Sequence, residues 1–271
     1  MLKADFHVHT EFSNDCSAKV EKQIESAINL GLEYICFTDH CDMDYPSPER
    51  ESEYMIDTKS YIKKINSLRE KYAGKIKVLC GVEIGLMAYL GERVNNYVKN
   101  YDFNFIIGSS HAVNGKNIGG IFNDFFKDKS EKEAYREYFE SILENVKTFN
   151  NYSVYGHLDY VVRYGAHKNK YFDFNDYKDV FEVILKIIIK NGKGIEINTS
   201  GLRRDLGYPH PHKDILKMYK DLGGEIITAG SDAHLPEHIA YKFDEAKEYL
   251  EDAGFKYYTV FENQQPKFLK L

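Results

Sequence analysis

Short apolar runs alternate with longer stretches of helical periodicity from one end of this chain to the other. LKADFHVH reads as a strand, and SAKVEKQIESAINLGL follows it with Val20, Ile24, Ala27 and Ile28 at helical spacing and Gly31 as its stop. YICFTDH, KIKVLCGVEIG, FNFIIGSSH, SVYGHLDY, GKGIEINTSG and GGEIITAGSDAH read as further strands, and FKYYTVFEN offers an eighth. A polar, proline-bearing loop (MDYPSPERESEY) follows the second strand. The helical segments are TKSYIKKINSLREKYAG (Ile62, Ile65 and Leu68 on one face), GERVNNYVKNY, SEKEAYREYFESILENVKTF, and stretches around 175–191, 212–222 and 236–253. Ser130 and Glu133 form a capping box, and Gly192, Gly223 and Gly254 stand where left-handed C-caps belong. Consecutive strands joined by helices must run parallel. Seven or eight such units without a linker predict one α/β domain over 1–271, its sheet closed into a barrel. Neither a G-x-G-x-x-G nor a Walker A sequence occurs, so open-sheet nucleotide binders have no support.

The same runs end in polar clusters: HVH, TDH, GVE, SSH, GHLD and SDAH. Function in parallel barrels gathers at the C-terminal ends of the strands. Six runs therefore deliver ligand-type side chains to one rim. Period-two alternation puts His7 and His9 on one face with Asp5, while Phe6 and Val8 face the helices. Asp5 lies one layer deeper and reads as a support. A lone histidine at a strand end is usually a hydrogen-bonded structural residue, and Asp39 and Asp159 also read as helix caps. The joint pattern is harder to explain that way. His7, His9, His40, His111, His157 and His234 share the rim with Glu83, Asp232 and Asp15. Without cations these groups would face one another unpaired, and divalent metals remove that conflict.

Composition narrows the class. A net charge of −6 leaves no basic footprint, which argues against a nucleic-acid partner. MLKADFHVHT has no signal-type apolar core and no run of 18 apolar residues occurs, so no membrane span and a cytoplasmic location are expected. The four cysteines, Cys16, Cys36, Cys41 and Cys80, form no C-x-x-C pair and read as reduced thiols. Cys16 and Cys41 neighbour the rim residues and offer a thiolate ligand as an alternative.

The series HVHTEFSND, FTDH, GVEIG, GSSH, YGHLD and GSDAH resembles the motif set of the polymerase and histidinol phosphatase (PHP) superfamily. YGHLDYVVRYG, EINTSGLR and EAYREYFE are most similar to its L-histidinol-phosphate phosphatase branch. The resemblance implies a distorted (β/α)7-type barrel with three divalent ions at the C-terminal strand ends. By position, His7, His9 and Asp232 would hold one ion and His111 and His157 a second, with Glu83 bridging them. Asp15, His40 and His234 would hold the third. Other branches carry His where this chain has Asp15, and Asp there suits the phosphatase branch.

Imidazole and carboxylate ligands suit zinc, manganese or iron alike. A hydroxide bridging paired metals, held via Glu83, His111 and Asp232, would attack phosphorus in L-histidinol phosphate, a small-molecule phosphate ester of histidine biosynthesis. Arg163 and Arg203 are placed to bind phosphate, with Arg204 as the alternative to Arg203 and Tyr164 and Ser200 as hydrogen-bond donors. The leaving alkoxide needs an acid, and a metal-bound water, Asp205 and His210 are the candidates. His167, His210, His212 and His238 otherwise read as surface or loop residues, and the Gly and Pro at 207–211 suggest a loop over the rim. Two other readings stand beside this one. One is a PHP-type phosphoesterase acting on nucleotides or phosphotyrosyl protein. The other is a non-catalytic PHP-like interaction domain.

Overall fold

The computed structural model describes residues 1–46, 54–119 and 124–271. Most of the proline-bearing stretch after the second strand, 47–53, lies outside the described residues. The strands are β1 (Ala4–Val8), β2 (Tyr34–Phe37), β3 (His40–Cys41), β4 (Lys77–Gly85), β5 (Phe105–Ser109), β6 (Ala112–Val113), β7 (Lys116–Asn117), β8 (Val154–Tyr155), β9 (Gly194–Asn198), β10 (Ile227–Gly230), β11 (Tyr257–Glu262) and β12 (Gln265–Lys270). The helices are α1 (Val20–Asn29), α2 (Thr58–Lys71), α3 (Gly91–Lys99), α4 (Glu131–Thr148), α5 (Lys178–Lys190), α6 (Ser200–Arg203), α7 (Lys213–Asp221) and α8 (Phe243–Asp252). Neighbouring strands pair in the order β1-β2-β4-β5-β8-β9-β10, with β3 also on β4, and every pairing among them is parallel. A parallel bridge between Val8 and Ala233 joins the last strand back to the first. His9 N donates to Ala233 O at 2.9 Å and Asp232 N to His7 O at 2.8 Å across that seam. The result is the distorted barrel of seven parallel strands wrapped by helices.

The helices form where apolar spacing allows a buried stripe. In α5, Val180, Phe181, Ile184, Leu185 and Ile188 are buried, and in α2 Tyr61, Ile65 and Leu68. The capping box at Ser130 and Glu133 starts α4. Gly192, Gly223 and Gly254 take φ of 67°, 91° and 91° just past α5, α7 and α8.

Three expectations need correction. The eighth apolar run is a strand, but it pairs antiparallel with β12 rather than joining the barrel. Its hairpin covers the N-terminal mouth: Ile227 N donates to Thr259 Oγ1, Gln264 N to Asn104 O, and Phe261 packs on Phe105 at 5.1 Å. The stretch 236–253 is not one helix. A 3-10 turn at Pro236–His238 is followed by left-handed Ala240 and Lys242, and α8 starts only at Phe243. The break lets Ala240 N donate to the buried carboxylate of Asp5 at 2.9 Å.

The third correction concerns β1. Asp5 is opposite Ile35 and Val8 opposite Phe37, so β1 carries one residue more than β2 over this span. Such a bulge turns two successive side chains to one side. Phe6 meets Phe105 edge-on at 5.1 Å, and these belong to strands that are not neighbours, so the contact crosses the barrel interior. His7 also reaches inward, to Glu196 and Glu83. Asp5 is turned away from that face, toward Ser231 and Ala240. Among the described residues no helix is long and apolar enough to cross a membrane.

Candidate metal centre

Glu83, near the end of β4, sits at the middle of the rim and is fully buried. Its Oε1 lies 2.9 Å from His157 Nε2 and 3.2 Å from His111 Nε2, and accepts from Ser109 Oγ at 2.6 Å. Its Oε2 lies 3.0 Å from His40 Nδ1, 3.2 Å from His7 Nε2 and 3.5 Å from His9 Nε2. One carboxylate thus meets five imidazoles, more than the two-ion bridge expected for it. Asp232 Oδ1 is 3.4 Å from His9 Nε2 and 3.5 Å from His234 Nδ1. Asp15 Oδ2 is 3.2 Å from His234 Nε2 and 3.7 Å from His40 Nε2. All nine residues singled out as ligands therefore meet in one cluster.

Four overlapping triads have donor atoms within 4.8 Å of one another: His7/His9/Glu83, His7/His157/Asp232, His40/Glu83/His111 and His9/His40/His234. Despite these short separations the angles are wrong for hydrogen bonds, and among the described residues His7 Nε2, His9 Nε2, His40 Nδ1 and Glu83 Oε2 are buried with none. Unpaired buried polar atoms are costly, and convergent ones of this type fit divalent ions. The electrostatics agree. Burial opposes the charge on Glu83, but His7, His111 and His40 outweigh it and hold its carboxyl well below the usual range. Burial likewise opposes protonation of His7, yet Glu196, Glu83 and Asp232 raise it. Burial lowers His9 to about 3, helped by His234 and His40, so its ring is neutral with a free lone pair. The pull that protonates some of these rings is the pull that would draw in cations.

Outer groups hold the cluster. Asp39 accepts from Thr10 N, Thr10 Oγ1, Ser13 N and Ser13 Oγ, bracing the loop after β1. Asp5 accepts from Ser231 N, Ser231 Oγ, Ala240 N and His7 N, a supporting role. Asp159 accepts from His210 Nδ1 at 2.5 Å and His212 N at 2.9 Å. Neither Cys16 nor Cys41 belongs to a cluster of metal-type donors among the described residues. Burial pushes both thiols up to about 12, and their sulfurs contact His234 O and Met55 Sδ.

A cavity of about 250 Å³ opens onto the cluster, lined by Asp15, Glu83, His111, Arg163, Arg203 and Arg204 among others. Arg163 stacks on Tyr160, its guanidinium carbon 4.1 Å from the ring centre. Its Nη2 donates to Tyr164 OH at 2.7 Å and Tyr160 OH at 3.0 Å, and Nη1 to Ser200 Oγ at 3.5 Å. Tyr164 and Ser200 thus meet the guanidinium, and Tyr160, unremarked in the sequence, lines the cavity. Arg203 donates to Ser231 O and Asp232 O, at 3.1 and 2.9 Å. Arg204 is exposed beside it.

The side chain of Asp205 is 92% exposed and lies toward Lys168, outside the cavity lining. His210 is fully buried rather than on the surface, its Nε2 without a partner among the described residues. The loop carrying it is packed down: His210 and Asn198 exchange backbone hydrogen bonds at 2.7 and 2.8 Å. His212 and His238 are half-buried, and His167 is exposed. Sequence reasoning also missed Asp42 and Glu196, which contact His111 and His7. The alternation I-E-I-N in β9 carries the signal for Glu196, since it shares an inward face with Asn198.

The PHP domain profile matches residues 5–200. The chain is 33% identical over 261 residues to the histidinol-phosphatase of Lactococcus lactis subsp. lactis (strain IL1403), spanning 96% of this chain and 95% of that one. It is 32% identical over 254 residues to a Clostridium acetobutylicum protein named a probable histidinol-phosphatase, spanning 93% and 94% of the two. A crystal structure of histidinol phosphate phosphatase from Lactococcus lactis subsp. lactis Il1403, complexed with zinc, L-histidinol and phosphate, is similar with a TM-score of 0.89. It is 31% identical and covers 98% of this chain and 100% of that one. The chain belongs to the PHP domain family.

Proposed function

We propose that this protein is a metal-dependent phosphomonoesterase that hydrolyses L-histidinol phosphate to L-histidinol and phosphate. One observation carries the reading: the cavity that opens onto nine clustered ligand-type side chains is also lined by three arginines. Anion-binding and cation-binding groups facing one space suit a phosphate ester more than a nucleobase or a protein surface. Relatives similar over nearly the whole chain carry this activity in their names, and the one with a similar crystal structure holds zinc, L-histidinol and phosphate.

In this reading residues 1–271 act as one catalytic unit with three divalent ions, zinc first among zinc, manganese and iron. His7, His9 and Asp232 would hold one, His111 and His157 a second, and Asp15, His40 and His234 the third, with Glu83 between them. Bound ions supply Lewis acidity and make water nucleophilic at neutral pH. The protein's own groups do the rest. Arg163, fixed by two phenols, presents its remaining N–H groups to phosphate oxygens. Arg203, anchored on the Ser231 and Asp232 carbonyls, closes the other side. Glu83, His111 and Asp232 border the cavity, and they orient the attacking water.

The test is phosphate release by chelator-stripped protein reloaded with zinc or manganese, on L-histidinol phosphate and on an aryl phosphate. A kcat/KM far higher for L-histidinol phosphate is expected. Comparable values would remove the substrate assignment and leave a phosphatase. No release from either substrate after reloading would remove the enzyme.

A further inference from the structure

Two buried carboxylates stand behind the cluster with no assigned part in it. Glu196 Oε1 lies 2.7 Å from His7 Nδ1, and Asp42 Oδ2 lies 2.7 Å from His111 Nδ1. The opposite nitrogen of each ring faces Glu83: His7 Nε2 is 3.2 Å from Oε2 and His111 Nε2 is 3.2 Å from Oε1. The other imidazoles at Glu83 are arranged differently. His9 Nδ1 meets the Ser13 hydroxyl at 3.1 Å, His157 Nδ1 has no partner among the described residues, and His40 turns Nδ1 itself toward Glu83, with Asp15 Oδ2 3.7 Å from its Nε2. Of the five rings, His7 and His111 have a buried carboxylate 2.7 Å behind them, and they sit on opposite oxygens of the central carboxylate.

Glu196 is held in place by further hydrogen bonds, while the second oxygen of Asp42, Oδ1, is buried without a partner among the described residues. Glu196 Oε2 accepts from His157 N at 3.2 Å and Asn198 Nδ2 at 3.1 Å. That amide is oriented by Ser200 N, which donates to Asn198 Oδ1 at 2.9 Å. Asn198 Nδ2 also comes within 3.3 Å of His7 Nδ1, but the carboxylate is nearer and can only accept. Each carboxylate lies against a glycine at a strand end. A Cβ on Gly230 would be driven into Glu196 Oε1, and one on Gly85 would stand 2.6 Å from Asp42 Oδ1. A side chain at either place would push the carboxylate from its position.

A neutral imidazole has one N–H and one lone pair, and an ionised carboxylate offers no proton. We propose that Glu196 and Asp42 are positioning residues that hold His7 and His111 as Nδ1–H tautomers, presenting both Nε2 lone pairs to ions at Glu83. Outer carboxylates of this kind fix ring orientation and raise ligand basicity. The inference rests on the metal-centre reading above and adds to it the residues that set how tightly the central ions are held.

The test uses the full-length protein and two variants, E196Q and D42N, that replace one oxygen by an amide nitrogen. Zinc affinity is measured by competition with a chromophoric chelator. Histidine tautomers in the zinc-loaded proteins are read by long-range 1H–15N NMR. Affinity should fall about 10–100-fold in each variant. One Nδ1–H signal should change in E196Q and a different one in D42N. Each variant is an independent test, so failure of one to fold leaves the other decisive, with circular dichroism separating misfolding from metal loss. Zinc affinities within threefold of the parent, or unchanged tautomer signals, would overturn the inference and leave the metal centre standing. A parent protein that binds no zinc would overturn both.

Discussion

Replacing Arg163 by alanine tests whether the cavity is a phosphate site. The guanidinium spends both N–H groups of Nη2 on Tyr160 and Tyr164 and one of Nη1 on Ser200. This leaves Nε–H and one Nη1–H for a ligand. A single charge-assisted hydrogen bond contributes about 1.5–3 kcal/mol. At about 1.36 kcal/mol per tenfold in rate, kcat/KM should fall roughly 10–150-fold. Loss of the stack on Tyr160 removes about 1 kcal/mol of folding stability as well, a drop of roughly 2–4 °C in Tm. The assay is steady-state phosphate release by zinc-loaded protein, with zinc content and melting curves measured on the same preparations. Arg163→Lys keeps the charge but not the fork and should recover only part of the loss. The reasoning is refuted if kcat/KM stays within threefold of the parent while zinc content is unchanged. It is refuted differently if zinc is lost, because then Arg163 supports the metal cluster rather than the substrate.

Two further outcomes are expected. Asp232→Asn should lose zinc by more than about 100-fold in affinity, beyond what an outer partner costs, and nearly all turnover with it. Asp232 has φ of 53°, a conformation asparagine also adopts, so a metal-free melt far below the parent's would show that the loss is one of folding instead. Gly230→Ala should cost about 1–3 kcal/mol, or roughly 2–12 °C in Tm, because the added Cβ overlaps Glu196 and His7. A melt within a degree of the parent's would mean the close approach is absent.

The parallel barrel was legible because a helix between two strands dictates their relative direction, and because apolar runs and caps mark both kinds of element. The clustering of the nine ligand-type residues was legible for a related reason. A strand end is a poor place for six histidines, four of them buried, unless something binds them, and the topology brings all such ends to one rim. What escaped was whatever depends on packing rather than on period. His210 reads as one of several loop histidines, yet the loop folds onto β9 and buries it beside Asp159. Tyr160 reads as one aromatic among many, and only the fold stacks it on His157 at 4.5 Å and under Arg163. The C-terminal hairpin looks like one more barrel strand until the seam between Val8 and Ala233 leaves it no edge to join.

The bulge in β1 is the most consequential of these gaps. Strict alternation would set Asp5, His7 and His9 on one face and send Phe6 outward. One extra residue between Asp5 and Val8 lets Phe6 fill the lower interior while His7 still reaches Glu83 at the rim. It also frees Asp5 to turn the other way, where it fixes Ser231 beside Asp232 and pins the chain at Ala240. The bulge therefore does two jobs that a regular strand could not do together. It gives the barrel an apolar floor and a polar rim from adjacent residues, and it ties the first strand to the segment carrying Asp232 and His234. No period in the sequence encodes that slip, since the HVH motif reads the same with or without it.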